Sequence, residues 1–241
     1  NQGNLYIEYV RGLYKVLDRI QAKYPKLEMM LCSGGGGRCD YQALKYYGEF
    51  WPSDDTDPYE RLYIQYSMSK FFPSKALAAH VTNWNRRTSV KFRTDVASMC
   101  KLGFDLDLKT MKPEDYKFAQ EAVANWNRLK DVILDRELYR LVSPYETQHM
   151  AVNYVSQDKA KAVLFAYDLH PRYSEPQQAV RLQGLDANRT YLVKEINLMP
   201  NTTSSLSCNG QRYTGDYLMK VGLMVLSANE GSSRVLELTA E

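Results

Sequence analysis

The stretch LEMMLCSGGGG, residues 27–37, decides the fold prediction. Leu27 to Leu31 form a short, mostly apolar run that predicts a buried strand, and four consecutive glycines follow soon after it. Glycine has no side chain, so the backbone after this strand is open to close approach by another group. Further along the chain, WPSDDTD at 51–57 places three carboxylates directly before a predicted helix. Together the two segments predict a site for a small polar ligand.

Helices and strands alternate around this stretch. Asp57, Pro58 and Glu60 form a capping signal for one of the helices. The predicted helices cover about 5–20, 58–71, 89–102 and 113–134, and the predicted strands cover 27–31 and 76–81. This alternation is typical of a (β/α)8 barrel. A complete barrel needs ~250 residues, so we expect residues 1–144 to be only the C-terminal part of one.

The pattern changes after Pro144 to β-rich runs of similar length, several of them separated by turn-forming residues. The predicted strands are 149–155, 160–169, 179–185, 190–196, 217–226 and 235–239. Six such strands predict an antiparallel β-sandwich over residues 145–241. The predicted fold class is therefore α/β followed by all-β, with a partial TIM barrel first and a sandwich second.

Composition restricts the classes of function. The 241 residues are 44% apolar and 24% charged, which is ordinary for a globular protein. A net charge of +3 is too small to indicate nucleic-acid binding, and no run approaches the ~20 apolar residues of a membrane helix. The four cysteines and three histidines have no metal-ligand spacing. We therefore expect no nucleic acid, no membrane, no metal and no cofactor.

Over nearly its whole length the chain resembles glycoside hydrolase family 36, the α-galactosidases of the melibiase and raffinase type. The matching segments include CSGGGGR at 32–38, WPSDDTD at 51–57, AHV at 79–81, FRTDVA at 92–97 and TGDYLM at 214–219. A glycine run alone is not specific, but its spacing from SDDTD is. The resemblance implies an N-terminal β-sandwich, a (β/α)8 barrel and a small C-terminal β-sandwich. It also implies retaining hydrolysis of terminal α-galactosides such as raffinose-type oligosaccharides.

By this resemblance Asp54 is the general acid/base. A retaining glycosidase also needs a nucleophilic carboxylate ~5–5.5 Å from the acid. The family carries that nucleophile at the end of a strand before the helix that here begins near Gly3, and this sequence has no such strand. We therefore expect the chain alone to be inactive. Without the resemblance, Asp54 is read more simply as a carboxylate that caps a helix.

Cys32, Gly34, Gly35 and Trp51 are the substrate-binding residues that the resemblance implies. The thiol and the glycines would line the wall near the C2 hydroxyl of the sugar, which favours galactose over N-acetylgalactosamine. From the residues alone, Cys32 is also consistent with a buried strand-end thiol and Trp51 with a core ring. A phosphate cradle is disfavoured, because no Lys-Ser/Thr pair follows the glycines.

Two other functions stay open at this point. The chain could be a non-catalytic module that binds galactosides or another subunit. It could also belong to a transglycosylase of the raffinose-synthase kind, which would use the same carboxylates. A part-barrel exposes a strand edge and apolar helix faces, so we also expect self-association or a homo-oligomer.

Overall fold

The computed structural model describes residues 2–85, 87–174 and 178–241. The chain divides into two compact units, Asn1–Asp54 and Asp55–Glu241. No helix among the described residues combines the length and the apolar character that crossing a membrane requires.

The first unit consists of one long helix and a short pair of parallel strands. Helix α1 covers Gln2–Lys23, strand β1 covers Met30–Leu31 and strand β2 covers Glu49–Phe50. Strands β1 and β2 pair in parallel, with Leu31 opposite Phe50. The predicted strand before the glycines is thus confirmed in its last two residues.

Helix α1 buries only part of its apolar surface. Tyr14 and Leu17 pack with Tyr46 in a small core, and the Tyr14 and Tyr46 rings stack with their centroids 5.6 Å apart. The N-terminal half is exposed, with Tyr6 at 74% and Val10 at 42%. The apolar face that the sequence predicts between positions 5 and 20 is therefore buried only in its C-terminal half.

The second unit starts with helices and another parallel strand pair. Its first elements are α2 (Pro58–Met68), β3 (Ala78–Thr82), α3 (Val90–Ala97), β4 (Lys101–Asp105) and α4 (Pro113–Asp135). The predicted capping signal is confirmed, because the Asp57 carboxylate accepts the Tyr59 N–H at 2.9 Å. Strands β3 and β4 pair in parallel. This order of helices and parallel strands is consistent with part of a (β/α)8 barrel.

An antiparallel sheet of six strands follows. Its strands are β5 (Glu137–Val142), β6 (His149–Val155), β7 (Lys161–Asp168), β8 (Thr190–Ile196), β9 (Arg212–Thr214) and β10 (Ser232–Ala240), in the order β5-β6-β7-β10-β8-β9. The predicted strands 149–155, 160–169, 190–196 and 235–239 are confirmed. Strand β5 begins directly after α4 and lies before the predicted domain division at 144/145, which stays a prediction.

Two predicted strands are wrong. Residues 217–226 begin inside helix α5 (Gly215–Lys220), because the Thr214 hydroxyl accepts the Tyr217 N–H at 3.2 Å and caps a helix there. In 179–185 the only strand-like feature of the described residues is an isolated bridge from Val180 to Leu223. These apolar runs belong to an irregular layer that packs on one face of the six-stranded sheet. A six-stranded sheet covered by such a layer is consistent with a β-sandwich whose second layer is irregular.

The other face of the sheet lies against α3 and α4, and a buried carboxylate joins them. Asp95 of α3 is fully buried. It accepts hydrogen bonds from Lys91 Nζ at 2.5 Å, Asn197 Nδ2 at 2.8 Å and Ser233 Oγ at 2.7 Å. The Tyr167 hydroxyl donates to the Asp95 main-chain carbonyl at 2.7 Å. One residue of α3 thereby binds β7, β10 and the end of β8.

We predict that Asp95→Ala lowers the free energy of unfolding by about 3–5 kcal/mol, because it leaves a buried cation and two buried donors without their acceptor. Urea denaturation followed by near-UV circular dichroism measures the loss. The matched control is Asp131→Ala on the exposed side of α4, where we expect a change within about 0.5 kcal/mol. Equal losses in the two variants would contradict the structural role of Asp95.

Candidate active site

The glycine turn and the acidic segment leave the same edge of a parallel strand pair. Cys32 follows β1, and Trp51 follows β2. The Trp51 N–H donates to the Leu31 carbonyl at 2.8 Å, which extends the pairing by one residue. In barrels of parallel strands, the carboxyl ends of the strands carry the functional groups. The local fold therefore places both predicted segments where such a site is expected.

The absence of side chains in the turn permits the acidic segment to approach it. The Gly36 N–H donates to the Pro52 carbonyl at 2.8 Å. A Cβ atom on Gly35 would lie 2.8 Å from Ser53 Cα, and one on Gly36 would lie 2.9 Å from the Pro52 oxygen. Gly35 also has a φ of +80°, which favours glycine. Two of the four glycines are thus required by close packing against residues 52–54.

Asp54 lies at the end of this segment with its carboxylate exposed. The Trp51 indole Nε1–H donates to Asp54 Oδ1 at 3.0 Å. The alternative reading of Asp54 as a helix cap is wrong, because Asp57 is the cap of α2. Asp55 also has a local structural contact, since its Oδ1 accepts the Asp57 N–H at 2.8 Å. Of the three carboxylates, Asp54 is the one that is exposed.

The other predicted site residues lie around the same turn. Cys32 is exposed, so the alternative of a buried thiol is wrong. Gly34 is exposed with open space around it, whereas Gly35 is buried against the 52–54 backbone. Trp51 is half-buried. Burial, assisted by the neighbouring Asp40 carboxylate, raises the pKa of the Cys39 thiol.

The second unit holds buried polar residues next to its own parallel pair. His80 of β3 lies over Gly103 of β4, where an added Cβ would be 2.5 Å from His80 Cδ2. The guanidinium groups of Arg61 and Arg93 are buried. Arg61 Nη1 donates to the Ala78 carbonyl at 3.5 Å, and Arg93 Nη1 donates to the Thr82 carbonyl. These arginines fix both ends of β3, and the sequence analysis missed them.

Metal binding has no candidate in the described part of the chain. No group of three or more His, Cys, Asp or Glu side chains there is arranged to hold a metal ion.

Comparison with known protein families decides the assignment. The family model described as Melibiase matches residues 1–135, which is more than half of the chain. The chain belongs to glycoside hydrolase family 36. A second model, described as glycosyl hydrolase family 36 C-terminal domain, matches residues 149–238. The resemblance stated from the sequence is confirmed, and with it the class of α-galactosidases, which are glycosidases of carbohydrate metabolism.

Relatives in fungi and bacteria cover nearly all of this family 36 chain. Probable alpha-galactosidase G of Aspergillus terreus is 32% identical over 95% of the chain, and alpha-galactosidase AgaA of Geobacillus stearothermophilus is 32% identical over 89%. The chain covers 30% and 28% of those proteins. It therefore spans about a third or less of the length of the curated relatives that it matches.

Solved structures of the family share this fold. The GH36 alpha-galactosidase AgaB of G. stearothermophilus superposes with a TM-score of 0.83 at 31% identity, over 95% of this chain and 31% of that one. The galactosidase domain of AgaSK, an alpha-galactosidase-sucrose kinase, gives a TM-score of 0.87 at 28% identity, over 99% and 32%. Variants of AgaA have been solved in complex with raffinose and with stachyose, each with a TM-score of 0.84 to this chain.

We predict that Gly35→Ala destabilises this family 36 chain more than Gly34→Ala. Both glycines have positive φ, +80° and +58°, so each alanine costs about 1–2 kcal/mol in backbone strain. Only the Gly35 methyl group would overlap Ser53, which adds about 1–3 kcal/mol. Urea denaturation measures the free energy of unfolding of each variant, and the difference between the two gives the contribution of the overlap with Ser53. Equal destabilisation would show that the turn does not need this close approach.

Proposed function

We propose that this chain is the C-terminal part of a retaining exo-α-galactosidase that hydrolyses terminal α-galactosides of the raffinose type. Asp54 is its general acid/base. The observation that carries the proposal is the exposed Asp54 carboxylate, bound by the Trp51 indole at the carboxyl end of β2 in a family 36 chain. The raffinose and stachyose complexes of AgaA support the substrate class.

The hydrogen bond from Trp51 assigns separate roles to the two Asp54 oxygens. An indole N–H is only a donor, so it bonds to the oxygen that carries no proton, Oδ1. The acidic proton is then on Oδ2. In the first step, Oδ2 gives this proton to the glycosidic oxygen as the bond to galactose breaks. In the second step, the same oxygen takes a proton from the water that attacks the glycosyl-enzyme.

The nucleophile has to come from outside the part of the fold that this chain supplies. A single acid cannot form the glycosyl-enzyme intermediate, since retention requires a second carboxylate. The chain covers only about 30% of its relatives, which is in keeping with a nucleophile in the remaining portion. The proposal assigns residues 1–144 to the partial (β/α)8 barrel and 145–241 to the C-terminal β-sandwich. The matched ranges 1–135 and 149–238 support a division between residues 135 and 149, and β5 (Glu137–Val142) pairs with β6 of the sheet although it precedes the proposed boundary.

Four residues of the first unit are proposed to bind the galactose. Cys32, Gly34 and Gly35 line the wall near the C2 hydroxyl, and Trp51 forms a second wall. The exposure of Cys32 and Gly34 supports this assignment. A wall built from small groups accepts a hydroxyl at C2 and leaves little room for an acetamido group, so galactose is preferred over N-acetylgalactosamine.

The acid/base role predicts the behaviour of Asp54→Asn in a chimera in which this chain replaces the matching segment of AgaA. Loss of proton transfer lowers kcat on raffinose by about 10²–10⁴-fold. With an aryl galactoside that has a good leaving group, added azide restores turnover and gives α-galactosyl azide, because azide needs no base and attacks from the face of the acid/base.

The control for this chimera is Asp131→Asn, an exposed carboxylate of α4 that should leave kcat unchanged. Undiminished activity of Asp54→Asn, or formation of β-galactosyl azide, would contradict the acid/base assignment. Product analysis in the same assay separates hydrolysis from transfer to a second sugar. The chain on its own should show no turnover of p-nitrophenyl α-galactoside.

We also propose that the chain self-associates through the exposed half of α1. This face presents Leu5, Tyr6, Ile7, Tyr9 and Val10, each between 42% and 74% exposed. Large apolar side chains exposed together on one half of a helix favour association.

We expect light scattering to give a mass above the 27.8 kDa of one chain. Tyr6→Glu combined with Val10→Glu should shift the mass toward the monomer, since two carboxylates in place of apolar side chains oppose apolar contact; far-UV circular dichroism checks that the helix is retained. Tyr173→Glu, at a residue that is 99% exposed, is the control. A monomeric parent chain would contradict this proposal.

A further inference from the structure

A cavity of about 750 Å³ lies at one end of the six-stranded sheet, within the second unit. At this end β5 stops, β6 begins and β7 stops, with His149 opposite Asp168. The pairing of β5 with β6 shifts register between Arg140 and Val142. Such a bulge bends a strand and redirects its side chains. The volume lies within the ~300–1,000 Å³ range of small-molecule sites.

A buried carboxylate holds one wall of this cavity in place. Asp168 is 2% exposed, and its Oδ1 lies 2.8 Å from His149 Nδ1. It also accepts the Ser227 N–H at 3.0 Å, the Ser227 hydroxyl at 2.6 Å and the Ser232 hydroxyl. His149 and Ser227 both line the cavity. Their side chains are therefore positioned before a ligand enters, which lowers the entropic cost of binding.

The irregular segment between β7 and β8 presents polar side chains to the cavity from a fixed backbone. The Val180 and Leu182 N–H groups donate to main-chain carbonyls at 2.8 and 3.0 Å, and both side chains are buried. Gln178, Arg181 and Gln183 are exposed and line the cavity. In the described part of the chain, these three side chains have no hydrogen-bond or ion-pair partner. Their donor groups are available to a ligand.

The charge of the cavity favours an anion. Arg181 contributes a guanidinium group, and the described residues that line the cavity include no Asp or Glu. A guanidinium group can donate two parallel hydrogen bonds to one carboxylate, and the amides of Gln178 and Gln183 can donate as well. Apolar side chains, among them Val142 and the 49% exposed Val221, line the cavity too. This combination matches a molecule with an anionic head and an apolar body.

We propose that this cavity binds a small organic acid, with its carboxylate on Arg181 and its apolar body against Val142, Val221 and Leu226. A neutral sugar could bond to the glutamine amides, but it would leave the charge of Arg181 without a counter-charge, so an acid is the favoured class. The inference is independent of the proposed function, because every residue that it uses lies in the second unit.

The test is a titration with octanoate, and with octanamide and octylamine as its neutral and cationic counterparts of equal length. Methyl resonances of the chain labelled at leucine and valine show where each compound binds. We expect octanoate to shift the Val142, Val221 and Leu226 methyls saturably. Octanamide should bind about tenfold more weakly, the difference between a charged and a neutral hydrogen bond, and octylamine should not bind. The methyls of Leu17, which is buried in the first unit, should not shift.

Variants then separate the two halves of the site. Arg181→Met keeps an unbranched side chain and removes its charge, so octanoate should bind about tenfold more weakly and octanamide equally well. Val221→Asp, at an exposed position, places a negative charge on the apolar wall and should abolish octanoate binding. Arg19→Met makes the same exchange at an exposed position of α1 and should leave both affinities unchanged.

Several results would overturn the proposal. Equal affinities for octanoate, octanamide and octylamine would show that the cavity binds by apolar contact alone. Octanoate shifts confined to methyls outside the cavity, or no saturable shift at all, would show that the cavity is not the site. Raffinose, titrated in the same way, tests the sugar alternative. Saturable raffinose shifts at Val142, Val221 and Leu226, at lower concentration than octanoate, would replace the organic acid with a saccharide.

Discussion

The candidate site depends on backbone packing against two glycines that have no side chain. Gly35 and Gly36 allow Pro52 and Ser53 to lie closer to the turn than any Cβ atom would permit. That approach fixes the backbone leading to Asp54, and the Trp51 indole then fixes the carboxylate itself. Because β1 and β2 are parallel, both segments leave at one edge. A steric constraint on two residues thus determines where the proposed acid, Asp54, lies within the first unit.

Two aspartates of the chain show how surroundings separate structural from chemical roles. Asp95 is fully buried and accepts from Lys91, Asn197 and Ser233. A carboxylate with so many donors is held in one geometry, and its removal costs stability. Asp54 is exposed and has one neutral donor, the Trp51 indole. Only the second arrangement leaves the carboxylate accessible to a substrate or to water, as the proposed acid/base role requires.

Much of this fold could be predicted where short-range signals decide it. The start of α2 follows from Asp57 and Pro58, and the regular apolar runs of β6 and β7 predict strands correctly. The run 217–226 is predicted wrongly, because a short apolar run does not by itself distinguish strand from helix, and the Thr214 cap favours the helix. The motif leads to the proposed role of Asp54 in the first unit, whereas the buried Arg61 and Arg93 of the second unit are missed. A charged residue on a helix is normally read as solvent-exposed, and only tertiary packing buries these two.

The three carboxylates of the acidic segment at 51–57 have different structural surroundings. Carboxylates that are close in sequence repel one another, and hydrogen-bond donors offset that repulsion. Here main-chain N–H groups compensate two of them, Asp57 through the helix start and Asp55 through the Asp57 amide. The two structural carboxylates thereby hold the turn that follows Asp54, while Asp54 keeps its exposure. Replacing either would disturb the turn at 55–57 and the start of α2 without removing the Asp54 carboxylate.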